Sequence, residues 1–257
     1  MKNQGTGKVV LVTGSGSGIG RATALRASKG GADLVLLSRN SAHLDETARL
    51  VVAAGGRAPH CVQIDQASRS STDDACKEIR RLVSRVDATV HAAGFDDADE
   101  SPVSTLSDGV WDHTLEVNLT SVFRITRALL PLVPEGGAMV FVGSANSIVP
   151  RSNAAAYCAS KSGLLHLTRS LALELAPRRI RVNCVCPGIV DTPLTDIFLQ
   201  QSDDPVGLRA AYAESNPLKR MATADEIAGC INFLLSDDAA FITGTSLVAD
   251  GGMLAGS

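Results

Sequence analysis

Several strand-like segments of this chain read as continuous apolar runs instead of alternating with polar residues. Lys8–Thr13 reads KVVLVT, Asp33–Leu37 reads DLVLL and Ala138–Val142 reads AMVFV. A strand with one wet face alternates, so continuous apolar runs demand cover on both faces of their sheet. Further predicted strands are Ala58–Ile64, Ala88–Ala92, Arg181–Val185 and Ser246–Ala249. Longer stretches of helical periodicity separate them: Gly18–Lys29, Ala42–Ala54, Thr72–Ser84, about Trp111–Leu132, about Ala154–Leu175 and Ala224–Leu235. This alternation predicts an α/β fold, a doubly wound, Rossmann-like and mostly parallel sheet of about seven strands with helices on both faces. No repeat, low-complexity tract or Pro/Ser-rich linker breaks the pattern, so residues 1–257 are expected to form a single domain.

The formal net charge of −3 gives no basic field for nucleic acid or an anionic membrane surface, and neither is expected as a partner. The start, MKNQGTGKVV, holds no apolar run of signal-peptide length, and nothing approaches the roughly 20 apolar residues of a membrane span. A cytoplasmic protein is expected. Cys61, Cys76, Cys158, Cys184, Cys186 and Cys230 form no C-x-x-C pair and predict reduced buried thiols, with no metal site. Cys184 and Cys186 share one strand face. Cys158 is either a modifiable thiol beside Tyr157 or a small apolar helix residue.

The first strand runs into Thr13-Gly14-Ser15-Gly16-Ser17-Gly18-Ile19-Gly20 and then directly into a helix. Glycines let the backbone turn tightly and approach a pyrophosphate, while the N–H groups and positive end of the helix meet its charge. Between a strand and a helix such a turn predicts dinucleotide binding through Gly14, Ser15, Ser17, Gly18, Ile19 and Gly20.

Tyr157 and Lys161 stand four apart on a predicted helix and so share a face. A free phenol titrates at about 10 and is a poor acid or base at neutral pH; a neighbouring ammonium favours its phenolate. Ser144 follows a strand end, and strand ends of a doubly wound sheet border the cofactor crevice.

T-G-x-x-x-G-I-G, Val90–Gly94 (VHAAG), W-D-H-T-L-E-V-N-L with Asn118, V-G-S with Ser144, Tyr157-x-x-x-Lys161 and I-R-V-N-C-V-C-P-G-I-V-D-T, ending at Thr192, follow one another in the order of the short-chain dehydrogenase/reductase family. The closing stretch from Asn216-Pro217-Leu218 through D-E-I-A, F-L-L-S-D, I-T-G and D-G-G resembles it too. The resemblance spans nearly the whole chain. It implies a nicotinamide-dependent oxidoreductase in which Ser144 hydrogen-bonds the substrate oxygen, Tyr157 exchanges its proton, Lys161 binds the nicotinamide ribose and tunes Tyr157, and Asn118 holds a water linking Lys161 to solvent. It also implies that Asp65 meets the adenine, with Gln66 beside it, that Ala93 and Gly94 pack on the cofactor, and that Pro187, Gly188, Val190 and Thr192 flank the nicotinamide. A solvated strand-end acid is the plain alternative for Asp65.

NAD enzymes place a carboxylate at the end of the second strand for the ribose hydroxyls. Here Ser38 stands there, followed by Arg39. A small hydroxyl leaves room for a 2′-phosphate and a guanidinium grips it, so NADP(H) is favoured, with NAD(H) possible. The alternative for Arg39 is an ordinary loop cation.

His91 and Ala92 replace two asparagines usual in the family. His91 either substitutes for an asparagine hydrogen bond, adds a titrating group below the cofactor, or is a satisfied structural histidine. Gln66 is polar where the family is usually apolar.

Phe95–Val103, the residues after Ser144 and Pro193–Asn216 are expected to form the substrate rim. The first carries Asp96, Asp97, Asp99 and Glu100. The third adds Asp196, Asp203, Asp204 and Glu214 against Arg209. Such a rim disfavours an acidic carrier protein, and Leu129–Glu135 offers no basic residues to one. A small or medium hydroxy/keto compound, such as a polyol, a sugar derivative or a cyclic ketone, is therefore preferred over a 3-oxoacyl-carrier-protein substrate. A non-catalytic NADP-sensing protein is the alternative of another class. On the predicted Tyr157 helix, Leu164, Leu167, Leu171 and Leu175 form one stripe and Leu165, Ala172 and Leu173 lie on other faces. A helix apolar most of the way round is buried on more than one side, which with the resemblance predicts a homodimer or homotetramer.

Overall fold

The computed structural model describes residues 7–97 and 100–256. β1 (Val9–Thr13) leads through the glycine turn into α1 (Gly18–Lys29), β2 (Asp33–Ser38) into α2 (Ser41–Ala53), and β3 (His60–Gln63) into α3 (Arg69–Leu82). After β4 (Ala88–His91) come α4 (Asp108–Leu115), a π-helical turn over Glu116–Thr120, and α5 (Ser121–Leu129). β5 (Ala138–Val142), α6 (Ala155–Leu175) and β6 (Arg181–Pro187) follow. A two-residue strand, β7 (Val190–Asp191), precedes α7 (Pro193–Gln201) and α8 (Pro205–Glu214) and pairs with β8 (Ala222–Thr223). α9 (Ala224–Leu235) then leads to β9 (Ser246–Ala249).

Among the described residues the main sheet has seven strands in the order β3-β2-β1-β4-β5-β6-β9, every pair parallel. Pleating sends alternate residues to opposite layers, which is why the central strands are apolar throughout. Val10, Val12, Leu36 and Val140 pack with Ala24, Leu44, Ile227 and Ile231 of α1, α2 and α9. On the other face Leu11, Val35 and Leu37 meet Ile79 of α3 with Ile125 and Leu129 of α5, while Met139, Phe141 and Val182 meet Leu164, Leu165 and Leu175 of α6. Each such buried aliphatic stabilises the fold by about 1.5–3 kcal/mol, so the sheet is a rigid platform for whatever its strand ends carry.

Side-chain caps move the helix starts forward of the predicted ones. Asn40 accepts from the His43 N–H at 3.2 Å and starts α2; Ser68 accepts from the Ser71 N–H at 3.3 Å and starts α3. The single helix expected over Trp111–Leu132 is divided by the π turn. Pro193–Asn216, expected only as rim, contains α7 and α8, each with proline in its first turn; Asp204 caps α8, accepting from the Gly207 N–H at 2.9 Å. The predicted stripes of α6 divide differently from expectation. Leu164, Leu165, Ala172 and Leu175 are buried together against the sheet with Leu167 and Leu171 at the margin, and Leu173, on the opposite side of the helix, is 81% exposed.

The six cysteines are free, and the Cys184 and Cys186 sulfurs lie 3.8 Å apart, both buried, on one face of β6. Cys158 is buried with its sulfur on the Arg151 backbone, which suits the small apolar reading. No helix among the described residues is long and apolar enough to cross a membrane. Asp99 of the acidic rim lies outside the described residues.

Candidate active site

Connections from β1 and β4 diverge to opposite sides of the sheet, which opens a crevice at their carboxyl ends. The crevice measures about 660 Å³. Gly14, with φ of 66°, closes its floor: a Cβ there would lie 2.6 Å from the Ala93 nitrogen. At Gly20 a Cβ would lie 2.2 Å from the Gly14 carbonyl oxygen. The helix therefore starts hard against the turn. Ser17 caps α1 without a side-chain hydrogen bond, and no acid occupies the first turn, so the first N–H groups remain available to an anion. A pyrophosphate fits this cradle by shape and by charge.

Gly14, Ser17, Gly18, Ile19 and Gly20 line the crevice. Ser15 does not. It is fully buried and donates its hydroxyl to the Leu37 carbonyl at 3.2 Å, locking the turn to β2. Ser38, Arg39, Asp65 and Gln66 line the end above β2 and β3. The Arg39 guanidinium has no ion pair or side-chain hydrogen bond among the described residues, and the only acids lining the crevice among them are Asp65 and Asp96. Asp65 Oδ1 accepts from the Ala67 N–H at 3.0 Å. Gln66 is buried, and its amide donates to the Ser121 hydroxyl at 2.8 Å, which accounts for a polar residue at that position.

At the other end Ala93, Gly94, Ser144, Tyr157, Lys161, Pro187, Gly188, Val190 and Thr192 border the same space. Ser144 begins a short 3₁₀ turn after β5, its oxygen accepting from the Asn146 N–H at 3.1 Å and its hydroxyl within hydrogen-bond reach of Tyr157. Lys161, buried on α6, donates to the Val142 carbonyl at 3.0 Å. Asn118 does not line the crevice. Its side chain donates to the Phe95 carbonyl at 2.8 Å and to Ser160 at 3.0 Å, and accepts from the Phe95 N–H at 2.8 Å. The side chain is thus committed to protein partners, and its direct effect is to fix the segment after β4.

Burial pushes the Tyr157 phenol above its ordinary value, the Asp96 charge adds to that, and a hydrogen bond with Ser144 opposes it. Lys161 borders the same space. Its ammonium lies 5.7 Å from the Tyr157 ring centre and is turned to Val142, and burial lowers its own pKa to about 8.

His91 is 1% exposed and does not line the crevice. Its ring stands edge-on to Phe141 with centroids 5.0 Å apart, and burial holds its pKa down at about 3. It is a neutral core histidine whose Nδ1 lacks a partner among the described residues.

Within the expected rim, the sequence did not single out Asp96 and Arg151 as a pair. Arg151 Nη2 lies 3.0 Å from Asp96 Oδ2 and Nη1 lies 3.2 Å from Glu100 Oε1, with both Asp96 and Arg151 on the crevice wall beside Tyr157. Asp96 is 8% exposed, and burial raises its carboxyl to about 6 against the pull of Arg151. The acid run drew attention to Asp96; nothing local marks Arg151, whose partner is distant in sequence.

A family profile described as enoyl-(acyl carrier protein) reductase matches residues 14–254. Oxidoreductase UcpA of Salmonella typhimurium is 34% identical over 254 residues, 96% of this chain and 94% of that one. The 3-oxoacyl-(acyl-carrier-protein) reductase FabG of Aquifex aeolicus is 32% identical, covering 96% of this chain and 97% of its own. The crystal structure of a dehydrogenase/reductase from Sinorhizobium meliloti 1021 is similar with a TM-score of 0.88 at 29% identity, over 98% of this chain and 97% of that one.

Proposed function

The chain belongs to the short-chain dehydrogenase/reductase family, and from that premise we propose that it interconverts a secondary alcohol and a ketone with a nicotinamide cofactor, NADP(H) in preference to NAD(H). The observation that carries the reading is the convergence of Ser144, Tyr157 and Lys161 on the crevice that the glycine cradle closes. Bound nicotinamide supplies the hydride acceptor for oxidation and the hydride donor for reduction. In oxidation the carbinol C–H bond breaks with its electron pair leaving as hydride, and the hydroxyl proton passes to the Tyr157 oxygen in its phenolate form. In reduction Tyr157 returns that proton.

Ser144 donates its hydroxyl proton to the substrate oxygen, while one of its two acceptor lone pairs takes the Asn146 N–H. Lys161 keeps two ammonium hydrogens for the ribose after its bond to Val142. Asn118 acts by holding Phe95 in place. Preference for NADP(H) is supported by Arg39, which has no ion pair among the described residues, beside Ser38, where a carboxylate would repel a 2′-phosphate.

A 3-oxoacyl-carrier-protein substrate is the second reading, favoured by the FabG relative. Against it stand Asp96 and Glu100 at the substrate end, where Arg151 is already neutralised. A cofactor sensor without turnover is disfavoured by the presence of both Tyr157 and Lys161. The chain acts as one cytoplasmic domain and assembles as a homodimer or homotetramer, with exposed Leu173 of α6 at a subunit contact; a light-scattering mass of one chain contradicts that assembly.

The test is Tyr157→Phe with a panel of ketones and alcohols, reading reduced-nicotinamide absorbance. Turnover is expected to fall by about 10²–10⁴ while cofactor affinity stays within about threefold. Undiminished turnover overturns the assignment.

A further inference from the structure

We infer that Asp96, held by Arg151, selects a neutral substrate carrying a hydroxyl next to the reacting carbon: a vicinal diol in oxidation, an α-hydroxyketone in reduction. This rests on the alcohol/ketone reading above and narrows its substrate class.

Asp96 stands on the crevice wall with Ser144 and Tyr157, and its charge acts on both Tyr157 and Lys161. Its position is fixed from two directions. Asn118 binds both backbone polar groups of Phe95 immediately before it, and Arg151 binds Oδ2 at 3.0 Å. Arg151 is itself held by Glu100 at 3.2 Å and by stacking over the Phe198 ring at 5.5 Å. A carboxylate has about four acceptor sites. Among the described residues its hydrogen-bond partners are Arg151 and the Asp97 backbone, which do not exhaust these sites.

The charge balance decides what those remaining sites meet. Among the described residues the lysine and arginine side chains lining the crevice are Arg39, Arg151 and Lys161. Arg39 stands at the far end above β2, and Lys161 belongs to the catalytic group. Arg151 already faces two carboxylates, so outside the catalytic group an anionic substrate group would find no uncompensated lysine or arginine among the described residues lining that end of the crevice. A wholly aliphatic substrate would expel water and leave Asp96 short of donors, which a buried carboxylate does not tolerate without loss of binding. A neutral hydroxyl donates to Asp96 and avoids both costs. Phe95, Leu194, Ile197 and Phe198 supply apolar walls for the carbon skeleton.

The test compares kcat/KM with NADP⁺ for matched pairs: 1,2-cyclohexanediol (both isomers) against cyclohexanol, and 2,3-butanediol against 2-butanol. The wild-type enzyme is expected to favour the better diol of each pair by at least about tenfold, because a site built to bond a hydroxyl rejects the analogue lacking it. In Asp96→Asn the diol-to-alcohol ratio falls by about tenfold, mainly through KM. Asp96→Ser serves if the amide variant does not fold, as judged by cofactor binding. A merely structural ion pair would lower both substrates together and leave the ratio unmoved, which overturns the inference. Equal wild-type efficiency on diols and simple alcohols overturns it as well and leaves the alcohol/ketone reading standing. No nicotinamide turnover with any of these alcohols or the corresponding ketones counts against that reading and the inference together.

Discussion

The ammonium of Lys161 donates to the carbonyl of Val142 at 3.0 Å, tying α6 to the end of β5 two residues before Ser144. A buried cation is thus built into the junction between sheet and helix, at the point where both catalytic hydroxyls emerge.

That cation is expected to cost stability. Burial lowers the Lys161 pKa from 10.5 to about 8, so the folded state binds its proton less tightly than the unfolded chain. The penalty is complete below pH 8 and is relieved as pH rises toward 10.5. Lys161→Met should therefore stabilise the fold at pH 7, by up to about 3 kcal/mol, while abolishing turnover. Urea unfolding at pH 7 and pH 9.5 checks it: the advantage of the variant must shrink at the higher pH.

His91 should weaken the protein in acid. Its folded pKa of about 3 lies below the ordinary 6.5, so the unfolded state takes up protons first as pH falls through that interval. At pH 5 the wild-type protein should have lost about 2 kcal/mol relative to pH 8 through this residue alone. His91→Asn should flatten that part of the stability profile. Equal pH slopes for the two proteins would rule the effect out.

Cofactor choice should turn on one side chain. Arg39→Ala is expected to raise the Kd for NADPH by at least about tenfold, the loss of a charge-assisted bond of about 1.5–3 kcal/mol, and to alter that for NADH by less than about threefold. Fluorescence titration with both reduced cofactors measures this. Parallel weakening of both would assign Arg39 to folding instead.

Two glycines should respond in opposite senses to alanine. At Gly14 the positive φ and a Cβ 2.6 Å from the Ala93 nitrogen predict a loss of more than about 1 kcal/mol together with cofactor binding. Gly109 in α4 has nothing nearer than the Ser107 hydroxyl at 4.0 Å, so Gly109→Ala should gain about 0.4–1 kcal/mol. Thermal unfolding of both variants gives the comparison.

The sheet was legible in the sequence because each central strand had to be apolar on both faces, and the glycine turn was legible because it sits between such a strand and a helix. Local patterns of this kind do not report which side chain meets which across the fold. Tyr157 and Lys161 share a helix face, yet only the packing of α6 on β5 reveals that Lys161 turns to Val142. Ser15 belongs to the glycine motif by position, but the approach of β2 takes its hydroxyl away from the crevice. The Asp96–Arg151 pair joins two loops 55 residues apart and leaves no local signature. α7 and α8 did carry one, proline in the first turn with an aspartate cap on α8, hidden within a stretch read only for its charge.

The π-helical turn at Glu116–Thr120 bears on how this region can change in length over evolution. Such a turn holds one residue more than an ordinary α-helical turn. Deleting one residue there would let the ladder close into a continuous α-helix, with α4 and α5 keeping their faces toward the core. The fold would survive the deletion. What would go is the reach of Asn118 to Phe95, so a lineage that shortened this turn would keep its architecture and release the loop that carries Asp96.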